Sequence, residues 1–214
     1  MYIPEAYRIT ETEHLYSFIE RYDFATIVSQ SVQGLVASHV PVLLQKQPGV
    51  LRAHFARANK HWQMFDGTAE ALTIFHGPHA YVSPSWYVTS PAVPTWNYGA
   101  VHVYGRPRIL EGMEDVKGLL SALTDKYEAH RKRPWQIEGA PAFIEKLAAA
   151  IVAFEIPIER IEGKFKLGQN RSLDDRRGTV AGLQQENTQE ARALADFMRL
   201  FGGVDEAAGS SDQG

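Results

Sequence analysis

The residues best suited to chemistry lie between His76 and Tyr104, HGPHAYVSPSWYVTSPAVPTWNYGAVHVY, where three histidines and two Ser-Pro steps share 29 residues with Trp86, Tyr87, Trp96 and Tyr98. Singly, each of these rings would sit as well in a core or a dimer interface. Together with Ser83, Ser85, Thr95 and Asn97 they suit a flat heteroaromatic ligand, which needs rings on its faces and a few placed polar groups at its rim.

Two further groups could hold an anion. The strand VLRAHF stops at Ala56-Arg57-Ala58-Asn59, and Asn59 is a good N-cap for a short helix KHWQMF. Free N–H groups at a helix start, with Arg57 beside them, would favour a phosphate. An ordinary strand-to-helix turn with a solvated arginine is the competing reading, and sequence alone favours it. In GKFKLGQNR, residues 163–171, Lys164 and Lys166 share one face if the segment is extended, and Gln169, Asn170 and Arg171 continue the polar surface. The bland alternative is a solvated face.

Other chemistries find less support. There is no GxSxG, no Walker-type loop, no GxGxxG after a strand and no HExxH. His76 and His79 have an H-x2-H spacing, with His39, His54, His61 and His102 elsewhere, but residues 71–104 contain no Asp or Glu. No metal site is expected; hydrogen bonding is the expected use of these imidazoles.

At 214 residues the chain suits one medium domain with an appendage, or two small ones. A net charge of −3 gives no overall basic field to draw it to nucleic acid. With no cysteine, disulfide and thiolate chemistry are excluded. MYIPEAYRIT has no signal-peptide pattern, and no apolar run reaches the roughly 18 residues of a membrane span, so a soluble cytoplasmic protein is expected.

The elements that would position these residues can be read in order. Thr10 and Glu13 form a T-x-x-E capping box ahead of an amphipathic helix over 11–22. Residues 24–44 read as a hairpin with a Ser-Val-Gln-Gly turn, Pro41 marking an edge or bulge. Strands follow at 50–55, 70–76 and 98–110, the last with a Gly105 break that suggests a bulge. Helices are predicted over 114–130 and about 141–151, one returning strand over VAFEIPIERIEG, and helices again within 172–201. The βαβ alternation of a parallel sheet is missing, so the expected fold is mainly β with α (α+β), a small β-barrel with peripheral helices and a C-terminal helical extension. The expected domains are 1–171, the extension 172–201, and a disordered tail 202–214. No helix-turn-helix is visible: the first of the last two helices carries Asp174 and Asp175, and the second has Glu190 and Asp196 against only Arg192 and Arg199.

MYIP, GLVASHVPVLL, HFARANKHW, IFHGPHAYVSPSWY, VPTWNYGAVHVYG and IEGKFKLGQNR resemble the PaiB-like family of FMN-binding negative transcriptional regulators, in family order from residue 1 to about 171. The resemblance implies a split β-barrel related to the pyridoxamine-phosphate oxidase flavoproteins, a homodimer with FMN at the subunit interface. It also implies a cofactor site drawn from Ser38, His39, Arg57, Ala58, Asn59, Trp96, Asn97, Tyr98, Val101, His102, Lys166, Gln169, Asn170 and Arg171, with no catalytic residue assigned. An FMN-dependent oxidoreductase and a haem-binding split barrel are the alternatives it leaves. DNA stays open as a partner, although no DNA-binding motif is visible, and no membrane is implied.

Overall fold

Alternating apolar residues and long-range strand pairing build two sheets. The computed structural model describes residues 1–32, 34–135 and 141–204. In chain order the elements are β1 (Arg8–Ile9), α1 (Thr12–Arg21), β2 (Phe24–Ser31), β3 (Gly34–Pro41), β4 (Leu43–Gln45), β5 (Val50–Ala56), β6 (Ala71–Val82), β7 (Thr95–Gly105), β8 (Arg108–Ile109), α2 (Met113–Glu128), α3 (Pro141–Ala149), β9 (Ile151–Pro157), β10 (Arg160–Lys166), α4 (Leu173–Gln185) and α5 (Gln189–Phe201). One sheet has the order β1-β10-β7-β6-β2-β3 and the other β4-β5-β9-β8.

The chain divides into two compact units. One comprises Met1–Glu11, His76–Ala100 and the described residues from Glu162 onward; the other comprises Thr12–Phe75 and Val101–Ile161. The expected boundary at 171/172 falls inside the first unit, which also holds the aromatic stretch from His76 to Ala100.

In the second unit, α1 presents Leu15, Phe18 and Ile19 to the interior, the spacing that predicted it. Its expected capping box does not form: the Thr10 hydroxyl donates to the Glu11 carboxylate, 3.2 Å away. The hairpin forms over Phe24–Pro41, with Ser31 opposite Gly34 and Pro41 on the edge strand β3, but its expected second arm stops there and Leu43–Gln45 joins the other sheet as β4. Phe55, Phe65 and Phe154 make an aromatic core with ring centroids 4.7–5.7 Å apart. A satellite core joins Val116, Leu119 and Leu123 of α2 to Ala148 and Ala153.

Two expectations fail here for the same reason. Gly105 ends β7 rather than bulging a longer strand, and the chain then joins the other sheet as β8. A Cβ at Gly105 would lie 2.0 Å from the Pro157 carbonyl oxygen, so only glycine allows the close backbone approach. Likewise the single returning strand is two, β9 and β10, dealt to different sheets after Pro157. Apolar alternation continues through both turns and hides them.

In the first unit, Phe165, Phe197 and Phe201 pack edge-on or tilted at 4.8–5.2 Å, tying β10 to α5. Residues 205–214 of the expected disordered tail lie outside the described residues. Gly202–Val204 are packed instead: Val204 is buried, and Arg176 donates to the Gly202 and Gly203 carbonyls.

Candidate functional site

Strand alternation sends Ser38 of β3 inward and leaves His39 exposed, where its Nδ1 lies 2.9 Å from Thr26 Oγ1 on the paired strand. Asn59 caps the turn as expected, its Oδ1 accepting from His61 N at 3.1 Å. The capped element is a five-residue 3₁₀ turn, Lys60–Met64, too short for a substantial dipole. Asn59 Nδ2 donates to Ser38 Oγ at 2.9 Å, and His61 Nδ1 lies at the same distance from that oxygen. Ser38 and Asn59 thus bond each other around a buried His61, whose ring stacks on Phe55 at 5.2 Å. Burial pushes the His61 pKa down, which keeps the imidazole neutral. The hydrogen bonding expected of His61 is found, but its partner Ser38 lies 23 residues away and could not be named from spacing.

Arg57 is held by the chain itself. Its Nε donates to the Ala149 carbonyl at 2.8 Å and its Nη2 to that of Ile151 at 2.7 Å. Ala58 lies in the turn that follows. On β7, the Val101 side chain is fully buried, while His102 is half-buried and meets Tyr104 edge-on at 6.3 Å. These are the expected site residues of the second unit.

The first unit gathers the others more closely. Lys164 and Lys166 do share a face of β10. Lys164 is buried, its ammonium 5.1 Å from the Tyr98 ring and 5.6 Å from that of Tyr2. Lys166 Nζ donates to the Trp96 carbonyl at 2.7 Å and to Thr95 Oγ1. Burial, and then the nearby Lys164, push the Lys166 pKa down. Asn170 Oδ1 accepts from Tyr7 OH at 2.9 Å, and the Arg171 guanidinium lies 4.6 Å over the Tyr87 ring. Lys166, Asn170, Arg171, Thr95, Tyr7 and Tyr87 line a cleft of about 180 Å³.

Two other expected residues serve the framework here. Gln169 spans its own turn, donating to the Phe165 carbonyl at 2.6 Å and accepting from Leu167 N at 2.8 Å. Asn97 is buried, with Nδ2 3.7 Å from Met198 Sδ. Trp96 is 54% exposed and stands between His79 and Tyr81, with ring centroids 6.3 and 6.4 Å away. Asp175 is one of two acids in the first turn of α4. It is buried and accepts from Val88 N at 2.9 Å, Thr89 N at 3.0 Å and Thr89 Oγ1, which fastens the loop after Trp86 to α4.

Residues 1–160 match the family described as "Putative FMN-binding domain". The chain belongs to this family. Protease synthase and sporulation protein PAI 2 of Bacillus subtilis is 36% identical over 202 residues, covering 92% of this chain and 96% of that protein. An uncharacterized Emericella nidulans protein, AN0679, is 32% identical and covers 78% of this chain and 82% of its own. The fold is an α+β split barrel, and the family's cofactor is a flavin. Solved structures share that fold. A Bacteroides thetaiotaomicron protein described as a "putative 5-nitroimidazole antibiotic resistance protein" has a TM-score of 0.57 at 13% identity, covering 73% of this chain and 85% of its own. The flavocytochrome Anf3 from Azotobacter vinelandii has a TM-score of 0.58 at 12% identity, covering 75% and 70%. No helix among the described residues is long and apolar enough to cross a membrane.

Proposed function

We propose that the protein binds FMN, with the cleft of Lys166, Asn170 and Arg171 taking the phosphate, and that it acts as a homodimeric, cytoplasmic negative regulator of transcription. The supporting observation is the donor set. Lys166 carries a desolvated ammonium whose pKa is moved further down by a second cation, and an anion is what such a group lacks. Arg171 and the Asn170 amide supply further donors at the same cleft, while Tyr7 and Tyr87 supply ring faces. A phosphate monoester fits this chemistry. Ser38, Asn59 and Arg57 make the hydrogen bonds described above to the protein, and Lys166 also donates to Trp96 and Thr95; the phosphate is assigned to the lysine cleft because Lys166 and Arg171 converge there with the Asn170 amide.

FMN, when bound, supplies one- and two-electron redox chemistry. The residues' part in it is to hold the phosphate, exclude water and offer rings to a flat group. The regulatory part of the proposal rests on the resemblance to PaiB-like proteins and on the Bacillus relative, whose name ties it to protease synthesis and sporulation. A protein partner is the favoured route to DNA, since α4 and α5 present Asp174, Glu190 and Asp196.

Titration with FMN, riboflavin and FAD tests the cofactor. FMN should bind best, and Lys166→Met should weaken FMN by about 1.5–3 kcal/mol while leaving riboflavin unchanged. Equal loss for both flavins would place the phosphate elsewhere. A gel shift across a salt series tests direct DNA contact, with no shift at low salt expected of the protein alone.

A further inference from the structure

A second cleft in the first unit, of about 310 Å³, lies where His79, Tyr81, Trp86 and Trp96 face the junction of α4 and α5. Its construction follows from three local features. The alternation of β6 turns His79 and Tyr81 to one side, and Trp96 stands beside both. Gly178 and Gly182 let Trp86 come down onto α4, since a Cβ at Gly182 would lie 2.2 Å from the indole. The connection from Gln185 to Gln189 is short, so Glu186 and Glu190 arrive at the same mouth. Leu183 and Ala191, both buried, form the floor.

We propose that this cleft binds a protonated organic amine with an aromatic body. Electron-rich ring faces attract a cation, and carboxylates at the rim pair with an ammonium. Among the described residues no ion pair engages Glu186 or Glu190, so their charge is available. The same carboxylates repel a phosphate, which sends FMN to the lysine cleft and leaves this one for a ligand of opposite charge. The ligand would be a substrate or an effector whose occupancy the α4–α5 junction senses.

The test uses the full chain, with phenethylammonium as probe and 2-phenylethanol as its uncharged counterpart, followed by calorimetry and by the indole N–H resonances. Phenethylammonium should bind and shift the Trp86 and Trp96 signals, with the alcohol weaker by roughly fivefold or more. The double variant Glu186→Gln/Glu190→Gln should lose a similar factor for the amine and nothing for the alcohol. Trp96 is exposed, so Trp96→Ala should fold, as checked by circular dichroism, and bind both probes less well. Equal binding of amine and alcohol, undiminished amine binding in the double glutamine variant, or no amine binding would each overturn the proposal. So would displacement of the amine by FMN in one-to-one competition, which would give the cleft to the flavin.

Discussion

Trp86 rests directly on the backbone of Gly182: a Cβ there would lie 2.2 Å from Cδ2 and 2.5 Å from Cγ and Cε2. One turn earlier, Gly178 meets the Trp86 carbonyl, and a Cβ would come within 2.1 Å of it. Two glycines four apart make a flat strip on α4, and the loop between β6 and β7 lies down on it.

Gly182→Ala sets helix propensity against this contact. Alanine would gain about 1 kcal/mol in an unconstrained helix. Here it must displace a half-buried aromatic ring, and overpacking of that kind costs about 1–3 kcal/mol. We expect a net loss in urea unfolding. In a Trp86→Ala background the same substitution should become neutral or stabilising, and a persisting loss there would disprove the ring contact as its cause.

Asp175 makes the loop's attachment pH-dependent. The hydrogen bonds from Thr89, then those from the backbone, hold its carboxyl below the usual range. A depressed carboxylate contributes stability above its unfolded pKa and loses it as pH falls through the folded value. Between roughly pH 5 and pH 2 the wild type should therefore lose more stability than Asp175→Asn. Parallel curves would show that the carboxylate contributes nothing.

Glu155 of β9 is buried and bridges two strands. Arg52 Nη2 on β5 lies 3.0 Å from Oε2, while Arg108 on β8 donates to Oε1 at 2.6 Å. Replacing it by Gln leaves Arg52, itself largely covered, without its counter-ion. We expect about 2 kcal/mol of destabilisation at neutral pH, read from the urea midpoint with an unchanged slope.

Arg57 now carries a different expectation from Lys166. Its bonds to the Ala149 and Ile151 carbonyls tie the end of α3 and the start of β9 to the turn after β5. Arg57→Ala should therefore lower stability by about 1–3 kcal/mol with a small effect on FMN affinity. Lys166→Met should do the reverse, and an Arg57→Ala variant that folds normally but loses FMN would restore the strand-to-turn anion site.

The sequence by itself determined the local elements and the family. Apolar spacing placed α1, α2 and the hairpin, Asn59 announced its cap, and alternation put Lys164 and Lys166 on one face, because each of these depends on residues a few positions apart. The motifs around HGPHAYVSPSWY and EGKFKLGQNR were long enough to identify the flavin family. What only the tertiary structure decided is which polar groups are free to meet a ligand. Ser38 finds Asn59 and His61, Arg57 finds Ala149 and Ile151, and Asp175 finds Val88 and Thr89, at separations of 21 to 94 residues. A donor's type is written in the chain, but whether it is spent depends on partners that only chain reversal brings within 3 Å. The sheet change at Gly105 has the same origin: nothing beside it in sequence forbids a side chain, whereas the Pro157 carbonyl, 52 residues on, does.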